Sequence, residues 1–145
     1  MRISDVIAGK GGGGVLTVAP EASVRELLAV LAEHNIGALV VSTNGSSVDG
    51  IVSERDVVRS LHADEAVLDS TVSQIMSTEV RSCAGADTVD EVMALMTQRR
   101  IRHVPVTRAG ALTGIVSIGD VVKSRMGELE FESDQLDSYV QGSQR

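Results

Sequence analysis

The sequence predicts an α/β (α+β) fold made of two tandem β-α-β-β-α repeats, packed as a pseudo-two-fold pair, with a C-terminal helical extension. The first observation behind this prediction is that residues 24–41 match residues 89–106 at a constant offset of 65. The second is that residues 50–58 match residues 114–122 at an offset of 64, each with Gly-Ile-Val-Ser and Asp-Val-Val. A repeat of this size cannot bury its apolar face alone, so the two copies are expected to pack on each other.

The chain divides into three segments at the ends of these repeats. We assign residues 1–66 to the first repeat, residues 67–126 to the second and residues 127–145 to an acidic helical tail. Short lead-in segments, residues 3–7 and residues 72–76, resemble each other and precede the two copies. At 145 residues the chain is long enough to bury a sizeable core.

The first strand and helix of each copy have local signals. A short strand is predicted at residues 15–18, ahead of a helix. A capping box starts that helix, with Ser23 as the N-cap and Glu26 three residues later, and Thr88 with Glu91 repeats it in the second copy. The apolar residues that follow lie at helical spacing and predict one buried face. They are Val24, Leu27, Leu28 and Leu31 in the first copy and Val89, Val92, Met93 and Met96 in the second.

Each copy continues with two strands joined by a turn. Residues 36–41 and 50–52 are the predicted strands of the first copy, and residues 101–106 and 114–116 are those of the second. Both pairs are separated by a short segment that contains glycine, which favours a hairpin.

Closing helices are predicted to begin after Ser53 and Ser117. The second closing helix runs on into the tail, where apolar residues recur at roughly helical spacing among acidic ones. A stripe of this kind predicts a helix that lies against the body of the protein or against a partner chain. Its residues are Val122, Met126, Leu129, Leu136, Tyr139 and Val140.

A glycine-rich segment precedes the first strand. Residues 9–14 place Lys10 among five glycines. A phosphate-binding P-loop would need the lysine to be followed by Ser or Thr and a helix, whereas Lys10 is followed by glycine and a strand. We therefore predict a flexible loop.

Composition excludes several classes of protein. The formal net charge is -7, and a surplus of acids disfavours binding to nucleic-acid phosphates. The two aromatic residues, Phe131 and Tyr139, both lie in the tail, so the repeats carry no stacking platform for single strands. No apolar run approaches the roughly 20 residues that span a bilayer, and no secretory signal is visible. One cysteine, Cys83, is consistent with a reducing compartment, and we predict a soluble cytoplasmic protein.

The best candidates for chemistry are the repeated segments Ser53-x-x-Asp56 and Ser117-x-x-Asp120. A serine at the N-cap with an acid three residues later is a capping box. The same geometry leaves backbone N–H groups at a helix N-terminus, where anions bind. The serine hydroxyl is able to bind phosphate and the carboxylate to accept both hydroxyls of a ribose, so the capping and binding interpretations are compatible.

These ordered segments, with Ile-Arg-His-Val-Pro-Val in the second strand of the second copy, resemble a pair of CBS domains, the cystathionine β-synthase type (Bateman) regulatory module. The resemblance covers about residues 1–126 and is closest to stand-alone CBS-pair proteins of bacteria. It implies two clefts between the repeats that bind adenosine nucleotides such as AMP, ADP or ATP. It also implies a homodimer that regulates a partner, with no required cofactor.

The resemblance assigns three kinds of ligand contact. The acids of the repeated motif contact ribose, the serines contact ribose or phosphate, and bases contact phosphate; because no aromatic residue is near, adenine is expected between aliphatic side chains. The ribose contacts are Asp56 and Asp120, with Ser53 and Ser117 beside them; the phosphate contacts are Arg59, Arg102, His103 and Lys123; the adenine contacts are Val18, Ile36 and Ile101.

The two copies differ where the bases lie. Gly37 and Ala38 stand in the first copy where Arg102 and His103 stand in the second. The cleft of the first copy is thus expected to lack local bases. We expect unequal occupancy, with the better site around Asp120.

No catalytic constellation emerges, and we predict that the protein is not an enzyme. The three histidines lie far apart in sequence and lack ligand spacing, so we predict no metal site. Arg99, Arg100 and Arg102 are interpreted as charges that complement a helix C-terminus rather than as a nucleic-acid patch. Three hypotheses stay open: a nucleotide sensor, a stress-associated interaction module with empty clefts, and an accessory subunit of an enzyme that docks through its tail.

Overall fold

A computed structural model describes residues 1–11 and 14–143. Its helices and strands follow the predicted order twice, and the predicted fold class is confirmed. The helices are α1 (Ile3–Gly9), α2 (Val24–His34), α3 (Glu54–Ala63), α4 (Val89–Arg99) and α5 (Ile118–Ser143). The strands are β1 (Thr17–Val18), β2 (Ala38–Val41), β3 (Gly50–Ser53), β4 (Cys83–Ala84), β5 (His103–Arg108) and β6 (Ala111–Ser117), and short 3₁₀ helices span Glu65–Asp69 and Val72–Gln74.

The strands form one three-stranded sheet per repeat in the described residues. In the first sheet β1 pairs with β2 in parallel and β2 pairs with β3 as an antiparallel hairpin. In the second sheet β4, β5 and β6 repeat this arrangement. Parallel pairing of the first two strands requires a crossover, and the helix between them supplies it.

The helix caps follow the predicted boxes. In the second copy the box is reciprocal: the Glu91 amide donates to Thr88 Oγ1 (3.1 Å) and the Thr88 amide donates to Glu91 Oε2 (3.2 Å). The first copy has the serine half, in which the Glu26 amide donates to Ser23 Oγ (3.0 Å). Each cap satisfies an amide at the start of a helix that has no partner within the helix.

The middle strands begin two residues later than predicted. Asn35 and Arg100 adopt left-handed backbone conformations, with φ of 52° and 55°. The following amides, of Ile36 and Ile101, still donate to helix carbonyls at 3.1 Å. These residues therefore belong to the turn that leaves the helix, a C-terminal arrangement that glycine or asparagine usually adopts.

Each lead-in segment packs in the hydrophobic core of the other repeat. In α1, Ile3 is fully buried and packs with Val6 in the core of the second repeat, whereas Val72 is fully buried in the core of the first. Backbone hydrogen bonds hold each lead-in segment on the other repeat. The Ile3 amide donates to the Asp87 carbonyl oxygen (2.9 Å), and the Val72 amide donates to the Ala22 carbonyl oxygen (2.8 Å). The packing units therefore cross the predicted division of the chain at residues 66 and 67.

The glycine that opens the repeated motif is explained by this exchange. A Cβ on Gly50 would lie 2.7 Å from Met76 Sδ and 2.9 Å from the carbonyl oxygen of Ser77. A Cβ on Gly114 would lie 2.6 Å from Ile7 Cδ1. The lead-in of one copy thus approaches the motif strand of the other so closely that a side chain does not fit.

Helix α5 leaves the body of the protein after its first turns. Val121 is fully buried, but Leu129 is 50% exposed, Leu136 65% and Tyr139 76%. The body therefore does not cover the tail stripe. None of the helices in the described residues combines the length and the apolar character needed to cross a bilayer.

Candidate functional site

A cavity of about 350 Å³ lies where the two repeats meet. It is bounded by the end of β3 with the start of α3, by the start of β5, and by residues 77–81, which follow the second lead-in. Its volume is at the lower end of the range for small-molecule sites. We call it the first cleft, because it contains the first Ser-x-x-Asp motif.

The motif in the first cleft is a capping box. The Ser53 amide donates to Asp56 Oδ2 (2.8 Å), the Ser53 hydroxyl donates to the same oxygen (3.1 Å), and the Asp56 amide donates to Ser53 Oγ (3.4 Å). The capping interpretation is therefore confirmed for this copy. These bonds hold the Asp56 carboxylate at the cavity wall, above the N-terminus of α3.

Arginines concentrate around the first cleft although the chain as a whole is acidic. Five arginine side chains line the cavity together with three carboxylates, so its formal charge is positive. Such a local surplus attracts phosphate. The arginines are Arg55, Arg59, Arg81, Arg100 and Arg102, and the acids are Glu54, Asp56 and Glu79.

The bases of β5 lie in a different place from the one expected. Arg102 and His103 line the same cavity as Ser53 and Asp56, so the first cleft receives its bases from the second repeat. The sequence-based expectation had grouped them with Asp120. The reason is tertiary: the repeats face each other, so the start of β5 lies opposite the motif of the first copy.

The His103 ring lies between the repeats. A Cβ on Gly37 would be 3.5 Å from His103 Cε1, so the small residue of the first copy makes room for this ring. Burial lowers the pKa of His103 below its usual value; Asp120 and Glu54 oppose this shift, while Lys10 and Arg102 add to it. The imidazole is therefore neutral at pH 7.

The second motif is also a capping box, but its acid has a partner from outside the motif. The Ser117 amide donates to Asp120 Oδ2 (2.9 Å) and the Asp120 amide donates to Ser117 Oγ (3.1 Å). Lys10 Nζ donates to the same Oδ2 at 2.8 Å. Burial raises the pKa of Asp120, but the bonds from Lys10 and Ser117 outweigh it and hold this pKa below its usual value. The carboxylate is thus charged and paired.

The first two residues of the segment predicted to be a flexible loop are ordered: Gly9 ends α1, and Lys10 is anchored. Lys10 Nζ also donates to the carbonyl oxygen of Ile115 (2.9 Å), and its own amide donates to Ile7 O (3.2 Å). The rest of the prediction falls partly on Gly12 and Gly13, which lie outside the described residues.

The remaining predicted contacts divide into two groups. Arg59 and Ile101 line the first cleft. Val18 is buried in the core of the first repeat, Ile36 packs against that core, and Lys123 is exposed on α5.

Sequence reasoning missed several residues that line the cavity. The one sequence signal that could have identified Arg100 is the basic run 99–102. From sequence, that run is interpreted as charges that complement a helix C-terminus. Segment 77–81 carried no motif and is brought to the cavity by the exchanged lead-in. The residues missed are Gly37, Ala38, Ile51, Glu54, Arg55, Ser77, Glu79, Val80, Arg81, Arg100 and Pro105.

Cys83 and the histidines show no sign of a reactive centre. Burial raises the pKa of the Cys83 thiol to about 11, so the thiolate nucleophile is scarce at neutral pH. No cluster of three potential metal ligands occurs within the part of the chain that the structure describes.

Comparison with known proteins agrees with this architecture. The CBS domain family model matches residues 13–63 and again residues 72–127. The chain belongs to the CBS-domain family. It is a tandem CBS pair, which is a regulatory module.

Relatives of this CBS pair include proteins from plants and bacteria. The chain is 36% identical to the mitochondrial CBS domain-containing protein CBSX3 of Arabidopsis thaliana, over 97% of this chain and 72% of that protein. The crystal structure of the CBS-domain containing protein ATU1752 from Agrobacterium tumefaciens is 42% identical, with a TM-score of 0.81, and covers 86% of this chain and 99% of that one. The crystal structure of the CBS domain pair of protein MJ0100, in complex with 5′-methylthioadenosine and S-adenosyl-L-methionine, has the same fold, with 23% identity and a TM-score of 0.75. The match covers 85% of this chain and 98% of that one.

Proposed function

We propose that this CBS pair is a non-enzymatic sensor that binds one adenosine nucleotide in the first cleft and thereby modulates a partner protein. The observation that carries the proposal is the meeting of the Asp56 carboxylate with an arginine-lined wall in one cavity. A carboxylate accepts both hydroxyls of a ribose, and arginines bind phosphate in a bidentate manner. The two groups thus match the two polar parts of a nucleotide.

The placement of the nucleotide follows from the cavity walls. The ribose lies at Asp56, and the phosphate lies toward the N-terminus of α3 and the guanidinium groups of Arg100 and Arg102. The adenine ring lies against aliphatic side chains, of which Ile51 and Ile101 line the cavity. Without an aromatic partner for stacking, we expect moderate affinity, as suits a sensor.

Known ligands of the MJ0100 pair support the class of ligand. 5′-Methylthioadenosine and S-adenosyl-L-methionine both contain adenosine. The five arginines around the first cleft favour an anionic adenosine ligand over the cationic S-adenosyl-L-methionine. AMP, ADP and ATP are accordingly the ligands we propose.

Calorimetric titration with AMP, ADP, ATP and S-adenosyl-L-methionine tests this function. We expect heat with at least one phosphorylated ligand and weaker binding of S-adenosyl-L-methionine. A bound nucleotide at about 100 times its Kd also stabilises the fold by roughly 2.7 kcal/mol, which a thermal shift detects. Neither heat nor a thermal shift with any of the four would reject the sensor and favour an interaction module with empty clefts.

We further propose that a second copy of the chain covers the tail stripe and that the protein is a homodimer. Val122, Met126, Leu129 and Leu136 follow one another after four, three and seven residues, which keeps them on one face as in a coiled-coil heptad, and all four are at least 40% exposed. The part of α5 that projects beyond the body, from Leu129 to Ser143, is about 15 residues long, and an isolated helix of that length is marginal in water. The basic Lys123 near one end and acids near the other favour an antiparallel pair of tails.

Substitution of Leu136 by lysine tests the tail contact. We expect the mass by light scattering to fall from twice 15.2 kDa toward 15.2 kDa, because a charge replaces a buried leucine at the helix pair. Ser138→Lys, which lies about 200° around α5 from Leu136 and is exposed, is the matched control and should leave the dimer intact. A dimer that survives both Leu136→Lys and deletion of residues 127–145 would show that the tail does not hold the copies together.

The location of the protein also stays a proposal. The sequence favours the cytoplasm, whereas the relative from Arabidopsis thaliana is named as mitochondrial.

The regulated partner is proposed to be an enzyme or another protein that recognises the nucleotide-bound form. Such regulation requires that the nucleotide bind one conformation of the CBS pair better than another.

A further inference from the structure

The second motif is the counterpart of the first in the repeat, yet its carboxylate carries an internal cation. Lys10 Nζ lies 2.8 Å from Asp120 Oδ2 and 2.9 Å from Ile115 O. The Lys10 side chain is 40% exposed and that of Asp120 24%. We call the position of this motif, which corresponds to the first cleft in the repeat, the second cleft. We propose that Lys10 closes the second cleft, so that each chain holds one nucleotide rather than two; this inference rests on the proposed function.

Comparison of the two motifs shows what the lysine replaces. In the first repeat, the Ile51 carbonyl accepts from the Ser77 amide (2.9 Å), and the Ile51 amide donates to Ser77 O (3.0 Å). Ile115 occupies the matching position in the second repeat, and there its carbonyl accepts from the Lys10 ammonium. One copy satisfies this carbonyl through the backbone, while the other uses a side chain that also reaches the motif acid.

This difference changes what the motif acid offers to a ligand. In the first cleft, the two hydrogen bonds to the Asp56 carboxylate both come from Ser53, within the motif, and both use Oδ2. In the second cleft, an ammonium ion is added to the corresponding bond on Asp120 Oδ2. A neutral ribose hydroxyl forms a weaker hydrogen bond to a carboxylate than an ammonium does. A nucleotide entering the second cleft must therefore displace Lys10 first.

The position of Lys10 is set by a buried anchor. The lysine directly follows α1, whose Ile3 and Val6 are buried in the core of the second repeat. Packing of α1 in the core of the second repeat therefore places Lys10 next to Asp120, which belongs to that same repeat. Because the pair is partly buried, salt screens it less than a fully exposed pair.

The lysine content of the chain permits a test that needs no nucleotide. The sequence has two lysines, Lys10 and Lys123, and Lys123 is exposed on α5. Brief modification with an amine-reactive ester, followed by mass spectrometry, should label Lys10 about fivefold more slowly than Lys123. Asp120→Asn should remove most of this protection and leave the Lys123 rate unchanged. Equal labelling rates for Lys10 and Lys123 in the wild-type protein would overturn the proposed closure.

The stoichiometry of nucleotide binding tests the functional consequence. We expect one ATP or AMP per chain for the wild type and two per chain for Lys10→Ala. Lys10→Arg keeps the cation and should remain at one, and Lys123→Ala serves as the control for loss of a lysine elsewhere. Circular dichroism and thermal unfolding establish that each variant is folded before its stoichiometry is interpreted.

The outcomes separate this inference from the proposed function. One site in both the wild type and Lys10→Ala supports the sensor and overturns the closure by Lys10. No site in the wild type but one in Lys10→Ala supports the closure and rejects the sensor in the first cleft. Two sites in the wild type overturn the closure, and the absence of binding in both proteins overturns both proposals.

Discussion

Replacing Asp56 by asparagine is expected to weaken binding of AMP by about tenfold to a hundredfold. The variant loses the charge on the group that accepts the ribose hydroxyls, and hydrogen bonds to charged groups contribute about 1.5–3 kcal/mol. Each 1.4 kcal/mol corresponds to a factor of about ten in Kd. Asparagine retains a side-chain oxygen that accepts from the Ser53 amide, so the cap of α3 is preserved. Calorimetric titration measures the effect, and thermal unfolding shows whether the fold is retained.

Asp120→Asn is the matched control for this prediction. It removes the same charge from the equivalent motif position, but the Asp120 carboxylate is already paired with Lys10. We expect the affinity of the first cleft to change by less than about twofold, since Asp120 is not among the residues that line that cavity. Loss of binding in Asp120→Asn with retention in Asp56→Asn would instead favour the site that the sequence alone suggested, around Asp120.

Replacing Ile3 by alanine is expected to lower the free energy of unfolding by about 2–5 kcal/mol. Ile3 is fully buried in the core of the second repeat, so its truncation removes apolar contacts and leaves a cavity there. Urea denaturation followed by circular dichroism measures the loss. Hydrogen exchange should show the largest loss of protection in β5 and a smaller loss in β2, because the lead-in packs on the second core.

Val58→Ala provides the contrast for the stability prediction. Val58 is 66% exposed, and a surface substitution of this kind usually changes stability by less than about 0.5 kcal/mol. A loss of protection in Ile3→Ala that is larger in β2 than in β5 would contradict the exchange of lead-in segments. So would a stability change no larger than that of Val58→Ala.

Local order was predictable because its causes are local. The capping boxes at Ser53 and Thr88 depend on residues three positions apart, and both form. The short glycine-containing segments between paired strands predicted a hairpin in each copy, and both hairpins form. The start of the middle strands was placed two residues early because a left-handed asparagine or arginine does not signal a helix end as glycine does.

The candidate site was predicted in part. The sequence pointed to Asp56 and Arg102 separately, and the cavity contains both. It grouped Arg102 and His103 with Asp120, whereas both line the cavity that contains Asp56. Repeat matching compares positions along one copy and contains no information about which copy lies opposite. Glu79 and Arg81 carried no motif at all. The pairing of Lys10 with Asp120 spans 110 positions in the chain, and a glycine-rich segment has no periodicity from which to predict its partner.

The sequence alone determined the repeat, the order of helices and strands, and the membership of the chain in the CBS-domain family. Those properties follow from short-range spacing, in which a cap, a period or a turn acts within a few residues. Tertiary structure decided the exchange of lead-in segments, the grouping of Arg102 and His103 with Asp56, and the engagement of Asp120 by Lys10. These depend on how two apolar faces close on each other, and that closure brings together charges that are distant along the chain.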